Sequence, residues 1–495
     1  MDNRTGIHNK KWIVYTAGFL CALINITFAV VMIYPGHNWG GDFSQYIAQA
    51  RALVMHDIPG WYEKNLYIIE HSNKGLGSTV YPWGLPVALY PVYQLFGLNL
   101  YAFKALIIMY LSGSIVAVFC LYKRKTSPWY AVMMTLMVAV NPVYLVATDS
   151  IQSDIPCLFF TILALLFGDY HLKSEKHHFR NAFLTGLFIF LAVQMRTMSF
   201  ALLLALLCTD FMIFTGSVLQ KKLGGDKPDI HLYQHSKWYY HLVPYFVFIV
   251  LDQFTNLILP RAGGTYLDYF SLSYASIKKM MKLYKSGFEI IYGKLFGVFI
   301  VLAIIGMVYV FKKEMYLVFY CSGTVVMLLL YDYYQQSRFL YSVFPGILLM
   351  SKYGMDCILF HTKKRLADWA YASVIVITIG LYVWQLFTIE LPYCNRIKGP
   401  IDAYSTDALN TYQYINDHIS DDSVIYFFKP RVLYLNTNNY CYTGEDDPDM
   451  IEEADYVLFW CNDFQDKIKE RVMDNDDYSL IYQNDQFFLY ESHKS

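Results

Sequence analysis

The chain has 495 residues, of which 56% are hydrophobic, 18% aromatic and only 16% charged, with a formal net charge of −1. Soluble domains carry nearer about a quarter of their residues charged, so this composition excludes an ordinary soluble enzyme. The near-neutral balance also excludes a nucleic-acid partner, which calls for a basic face.

The apolar residues fall in runs of roughly twenty, enough to cross a bilayer at about 1.5 Å per residue. Eleven spans are predicted, at 12–34, 99–122, 129–148, 155–170, 181–195, 197–215, 241–260, 291–311, 315–331, 339–360 and 368–389. The 181–215 region reads either as two short helices or as one long, broken one. The first run is too long for a cleavable signal and lacks a small-residue cleavage site after it, so it reads as a retained span.

Lysines and arginines collect before the first span (Arg4, Lys10, Lys11) and after the second (Lys123-Arg124-Lys125). They collect again after the fourth (Lys173, Lys176, Arg180), the sixth (Lys221, Lys222, Lys227, Lys237), the eighth (Lys312-Lys313) and the tenth (Lys363-Lys364-Arg365). All fall on one side, so the positive-inside rule predicts a multi-pass plasma-membrane protein with its N-terminus cytoplasmic and its C-terminus outside.

The loops expected outside are the longer ones. The first, 35–98, opens with Trp39-Gly40-Gly41-Asp42 and continues with apolar residues at helical spacing. This predicts an amphipathic helix on the membrane surface, with Asp42-x-x-Gln45 as its capping box. In the third, Lys278, Lys279, Lys282 and Lys285 share one face of a basic helix suited to membrane lipids. From Pro392 the sequence turns acidic and polar. Residues 1–391 are thus read as the membrane domain and 392–495 as a small extracytoplasmic α/β domain, an accessory lid or docking element with no catalytic motif.

The nine cysteines form no CxxC pair and no His/Cys cluster, which argues against a zinc site. Cys441 and Cys461 are the one pair open to a disulfide.

Four charged residues stand out on the outer side. Asp42 follows the Gly-Gly turn, Asp154 opens the fourth span, and Arg196 and Arg338 interrupt apolar sequence at the outer boundary. Each has an ordinary explanation, as a helix cap for the acids and as a headgroup contact for the arginines. Together they suit displacement of a phosphate leaving group. Arginine binds phosphate oxygens bidentately, and a carboxylate either deprotonates a hydroxyl nucleophile or holds a divalent cation. Asp42 and Asp154 are therefore the candidate catalytic acids and the candidate ligands for magnesium or manganese. No other cofactor is expected. Lys74, in the first loop, is a further candidate contact for an anionic substrate.

The chain resembles the GT-C type membrane glycosyltransferases, and most closely the bacterial relatives of protein O-mannosyltransferases and aminoarabinose transferases (glycosyltransferase family 39-like). The resemblance rests on Gly41-Asp42-Phe43-Ser44-Gln45-Tyr46-Ile47-Ala48, on residues 81–97 (YPWGLPVALYPVYQLFG), 141–160 (NPVYLVATDSIQSDIPCLFF) and 337–345 (SRFLYSVFP), and on the Arg196 step. It departs from the pattern at Trp83, where relatives often carry a proline or a small residue. The resemblance implies a polyprenyl-phosphate-linked sugar donor and transfer of the sugar to an acceptor on the outer face. Asp42 matches the family's catalytic acid and Asp154 its second-loop acid. Arg196 and Arg338 fall where positive residues meet the lipid phosphate. The rival reading, a transporter or flippase of lipid-linked saccharides, predicts charged residues lining a pathway through mid-span.

Overall fold

The structure is a computed structural model that describes residues 4–73, 75–174, 176–223, 237–263, 269–362, 365–397, 402–444, 446–463 and 465–493. A long apolar helix, α1 (Arg4–Val31), leads into three helices of the first loop, α2 (Gly41–Val54), α3 (Ile58–His71) and α4 (Gly84–Phe96). The membrane body continues with α5 (Leu100–Lys125), α6 (Pro128–Ala139), α7 (Pro142–Ala147), α8 (Asp154–Lys173), α9 (His178–Met195) and α10 (Phe200–Leu223). It is completed by α11 (Val243–Ile258), α12 (Tyr274–Tyr292), α13 (Phe296–Val310), α14 (Met315–Leu330), α15 (Phe344–Thr362), α16 (Arg365–Gln385) and the short α17 (Leu391–Ile397).

Among the described residues, seven helical segments are long and apolar enough to cross a membrane, and α6 and α14 are shorter apolar helices. Helix occupies each of the eleven predicted stretches, but several are broken. The stretch expected at 129–148 divides at Asn141. Pro142 cannot donate a helical hydrogen bond, and the Asn141 side chain instead caps the amide of Val143 at 3.0 Å. The 181–215 region is two helices, parted at Arg196 by extended backbone.

Lipid does not drive helices together as water does, so close backbone approach matters more. The tightest crossing is between α13 and α15. A Cβ on Gly306 would run into the carbonyl of Met350, and one on Gly354 into the carbonyl of Leu302. At one end of the body the basic clusters after the second and fourth spans meet. Lys125 and Lys173 both pair with Asp169 and with Glu314, in contacts of 2.8 Å or more for Glu314.

The C-terminal residues form α18 (Thr406–His418), β1 (Val424–Tyr426), α19 (Pro430–Thr437), β2 (Tyr440–Tyr442), β3 (Tyr456–Trp460), α20 (Asp466–Met473), β4 (Tyr478–Gln483) and β5 (Phe487–Ser492). The strands make one sheet in the order β2-β1-β3-β5-β4. Strand β1 is parallel to β2 and β3, while β5 is antiparallel to β3 and β4. The strands at 424–426 and 456–460 and the closing hairpin follow the sequence pattern. Helix α19, of eight residues, is too short to leave a clear periodicity. Cys441 and Cys461 are free thiols, so the disulfide left open by the sequence is absent between them.

Helix α2 corrects the sequence reading. It does not lie on a membrane surface with a wet polar face, because Ser44, Gln45 and Gln49 are as buried as Phe43 and Ile47. The C-terminal layer and the rest of the first loop cover it. The Gln45 amide donates to the Thr79 carbonyl at 2.8 Å. The Gln49 amide donates to the Tyr81 carbonyl at 3.0 Å, and Gln49 Oε1 accepts from the Tyr81 amide at 3.1 Å. Those polar residues therefore replace water for a strand-like segment, as buried amides must.

Candidate active site

The turn at Gly40-Gly41 ends with Gly40 as the N-cap of α2, so Asp42 sits inside the first turn and makes no capping bond. The capping box expected at Asp42-x-x-Gln45 is not formed. Gln45 is drawn off to Thr79, and the Asp42 oxygens face other partners. One helical turn on, the Tyr46 hydroxyl is hydrogen-bonded to Ser153 Oγ at 2.8 Å. Ser153 is the N-cap of α8 and Asp154 its first residue, with no side-chain cap either. This bond ties the start of α2 to the start of α8 and brings the two acids to one place.

Two arginines join them. Arg338 lies in the short 3-10 turn before α15, just after Gln336, whose φ of 56° puts its backbone in the left-handed region. Arg338 Nη2 donates to Asp42 Oδ2 at 3.0 Å and to Asp154 Oδ2 at 3.0 Å, and its Nε donates to Asp154 Oδ2 at 3.1 Å. Arg196, in the break between α9 and α10, pairs through Nη1 with Asp154 Oδ1, and its guanidinium lies over the Phe339 ring, 4.5 Å from the centroid. Asp154 is 3% exposed and holds both forks. All four residues singled out from the sequence are therefore in contact, though they come from four separate segments.

Two of the four, Asp42 and Arg196, line a cavity of about 910 Å³. Asp42, Tyr46 and Arg196 line it, together with Tyr81, Tyr269, Phe339 and, from the C-terminal layer, Lys429 and Arg431. Asp154 and Arg338 sit directly behind Asp42 and Arg196. Lys74 lies outside the described residues; its chain neighbours Asn73 and Gly75 line the same cavity.

Tyr81 and Arg431 were not singled out from the sequence. The Tyr81 hydroxyl donates to Asp42 Oδ1 at 3.1 Å, and Arg431 Nη1 donates to the Tyr81 hydroxyl at 3.0 Å. Tyr81 opens the 81–97 stretch, quoted only for the family resemblance, and Arg431 stands in Lys429-Pro430-Arg431, a charged step that reads as surface. The C-terminal part thus supplies a wall of the cavity.

Burial alone would push the Asp42 carboxyl up. The charges of Arg338 and Arg196, and hydrogen bonds from Arg338 and Tyr81, outweigh it and hold the group below the usual carboxylate range. Tyr81 is pushed up to about 12, by burial first and then by the nearby Asp42 charge, against the opposing pull of Arg431. Tyr81 thus remains a neutral donor and Asp42 a charged acceptor.

The arrangement does not fit a divalent cation. Each oxygen of Asp42 and Asp154 already faces a guanidinium or a phenol. Among the described residues no group of three or more His, Cys, Asp or Glu side chains is placed to hold a metal. Magnesium and manganese ask for about six oxygen ligands, and two arginines in that shell repel the ion. As placed here, Asp42 and Asp154 are partners of the two arginines rather than the metal ligands expected from the sequence.

Residues 84–225 match the family model described as dolichyl-phosphate-mannose-protein mannosyltransferase. No curated protein matches the chain in sequence. Among solved structures, ArnT from Cupriavidus metallidurans bound to undecaprenyl phosphate has a TM-score of 0.59 at 11% identity, covering 97% of this chain and 98% of that one. The Archaeoglobus fulgidus oligosaccharyltransferase tethered with an acceptor peptide containing the NVT sequon has a TM-score of 0.57 at 11% identity, covering 91% of this chain and 69% of that one. AglB from Archaeoglobus fulgidus, in complex with an inhibitory peptide and a dolichol-phosphate, has a TM-score of 0.56 at 11% identity over the same shares. The chain therefore has the fold of the GT-C glycosyltransferases, as the sequence resemblance implied.

Proposed function

We propose that a chain with this fold and this cavity is a glycosyltransferase, moving a sugar from a polyprenyl-phosphate-linked donor to an acceptor on the outer face of the plasma membrane. The observation that carries the reading is the convergence of Asp42, Asp154, Arg196 and Arg338 beside one large cavity. The fold neighbours solved with undecaprenyl phosphate and with a dolichol-phosphate support the class of donor. In the same reading residues 1–391 form the membrane domain with a cytoplasmic N-terminus, and 392–495 lie outside.

Arg196 and Arg338 bind the donor phosphate through their planar forks, with Lys74 as a further contact. The acceptor hydroxyl docks on Asp42, and its oxygen attacks the anomeric carbon from the face opposite the phosphate. The anomeric C–O bond breaks, its electron pair leaves with the phosphate oxygen, and the acceptor proton passes to Asp42. A single displacement of this kind inverts the anomeric centre.

An ion-paired carboxylate held low is a weak base, since catalytic bases work best with a pKa near the operating pH. Asp42 therefore orients the hydroxyl first and takes its proton late. A donor phosphate that competes for Arg338 also loosens the hold on Asp42, so basicity rises when donor is present.

Asp42→Asn tests the reading. Transfer from a polyprenyl-phosphate sugar should be abolished, while the purified variant keeps its melting temperature and still binds undecaprenyl phosphate. Transfer by that variant at the wild-type rate would overturn the role given to Asp42.

A further inference from the structure

Arg431 is the second residue of α19 and reaches from the C-terminal layer into the wall of the cavity beside Asp42. It is 4% exposed. Its Nη1 donates to the Tyr81 hydroxyl at 3.0 Å and its Nη2 to the Ser78 carbonyl at 2.9 Å. The guanidinium lies over the Tyr81 ring, 5.1 Å from its centroid. Its Nε is buried and makes no hydrogen bond. Among the described residues no carboxylate pairs with it. Asp42 is reached only across the Tyr81 hydroxyl and is already bonded to Arg338.

Burying a guanidinium against neutral acceptors alone is costly, because the lost hydration of the charge is made good only by an anion at close range. Among the described residues around the cavity, three guanidiniums, Arg196, Arg338 and Arg431, stand against two carboxylates, Asp42 and Asp154. Both carboxylates are committed to the first two arginines, which leaves Arg431 as the surplus charge. Lys429 lines the same wall.

We propose that Arg431, with Lys429 beside it, forms a second oxyanion subsite, distinct from Arg196 and Arg338, that receives a carboxylate or phosphate group carried by the acceptor. The assignment to the acceptor rests on the reading of Arg196 and Arg338 as the donor-phosphate site. It follows from the two sides of Asp42. Oδ2 faces Arg338, and Oδ1 faces Tyr81 and, beyond it, Arg431. An in-line displacement puts leaving phosphate and incoming nucleophile on opposite sides of the anomeric carbon, so an anion on the Arg431 side arrives with the nucleophile. The acceptor is then an anionic molecule whose charged group docks on the C-terminal wall while its hydroxyl meets Asp42.

The test uses the full-length protein in phosphatidylcholine nanodiscs, with undecaprenyl phosphate as the donor-lipid probe and inorganic phosphate as the oxyanion probe. With undecaprenyl phosphate saturating the first site, inorganic phosphate should still bind and raise the melting temperature. Arg431→Gln should weaken that phosphate binding by about tenfold or more, the scale of a lost charged hydrogen bond, and leave undecaprenyl phosphate affinity within about twofold. Arg338→Gln should do the reverse. Unchanged phosphate affinity in Arg431→Gln overturns the subsite. An equal loss of both ligands in that variant places the donor phosphate at Arg431 and overturns the separation. If the Gln variant does not fold, Arg431→Lys keeps the charge without the fork, and its phosphate affinity should fall several-fold; no change there overturns the proposal equally. If the wild type binds no undecaprenyl phosphate, the donor reading fails by itself, and phosphate binding compared between Arg338→Gln and the Arg338→Gln/Arg431→Gln double variant still decides the subsite.

Discussion

Asp42 is a carboxylate whose burial opposes ionisation and whose arginines overcome that opposition, Arg338 most of all. The sign of the pH effect follows. A depressed folded pKa stabilises the fold above the value of an unfolded aspartate, about 3.9, and this contribution fades as pH falls through the lower folded value. The acid limb of kcat/KM, which reports the free enzyme, should therefore lie below about pH 4, under the ordinary aspartate value. Arg338→Gln removes the main charge holding Asp42 down, so that limb should move to higher pH in the same profile. An acid limb that stays put in the variant would detach Asp42 from the reaction. Asp42, Asp154, Arg196 and Arg338 stood out in the sequence because Asp42 follows a Gly-Gly turn at the start of a helix, Asp154 opens a span, and the two arginines interrupt apolar residues, where a charge needs a reason. Arg431 did not, because a lysine and an arginine around a proline in polar sequence look solvated. Only the cover supplied by α2 and the first loop makes Arg431 a buried charge.

At the scale of elements, the helices are set by apolar runs and broken where backbone chemistry demands it, and the breaks carry the site. Arg196 occupies the extended residue between α9 and α10, and Arg338 the 3-10 turn just ahead of α15. The position of α15 depends on its crossing with α13, where Gly306 and Gly354 each face the other helix's backbone with no room for a Cβ. Gly354→Leu should force the helices apart. Overpacking of this kind costs about 1–3 kcal/mol when side chains can yield, and here the obstacle is a carbonyl, so the upper end is expected. The melting temperature should fall, and undecaprenyl phosphate binding should weaken as α15 carries Arg338 away. A Gly354→Leu protein that melts and binds like wild type would show that α15 does not position the arginine. The runs located the helices well but not this contact, since glycine in an apolar span reads the same whether it faces lipid or a neighbouring carbonyl. Likewise the helical spacing in α2 gave a helix, while its buried glutamines depended on partners dozens of residues away.

At the scale of the molecule, the C-terminal layer and the first loop close one cavity between them. Trp39 sits among Phe427, Phe428, Trp460 and Phe487, with ring centroids 5.0 to 6.2 Å away. Arg51 Nη1 donates to the Leu435 carbonyl at 2.9 Å, and Lys64 Nζ to the Asn438 carbonyl at 2.6 Å. Asp42 from the first loop and Arg431 from the C-terminal layer therefore face the same space, and whichever side of the membrane holds one holds the other. The lysine and arginine pattern predicts that this side is the outer one. A single cysteine can decide it. Of the exposed free cysteines among the described residues, Cys120 and Cys208 lie within the apolar helices α5 and α10, whereas Cys461 follows β3 in the C-terminal sheet. A membrane-impermeant maleimide should label Cys461 in intact cells, and Cys461→Ser should remove that label. Labelling only after the membrane is permeabilised would put the sheet inside. Because the C-terminal layer that holds the sheet also carries Lys429 and Arg431 on a wall shared with Asp42 and Arg196, that result would move the whole cavity to the cytoplasmic face, and with it the side on which any sugar is transferred.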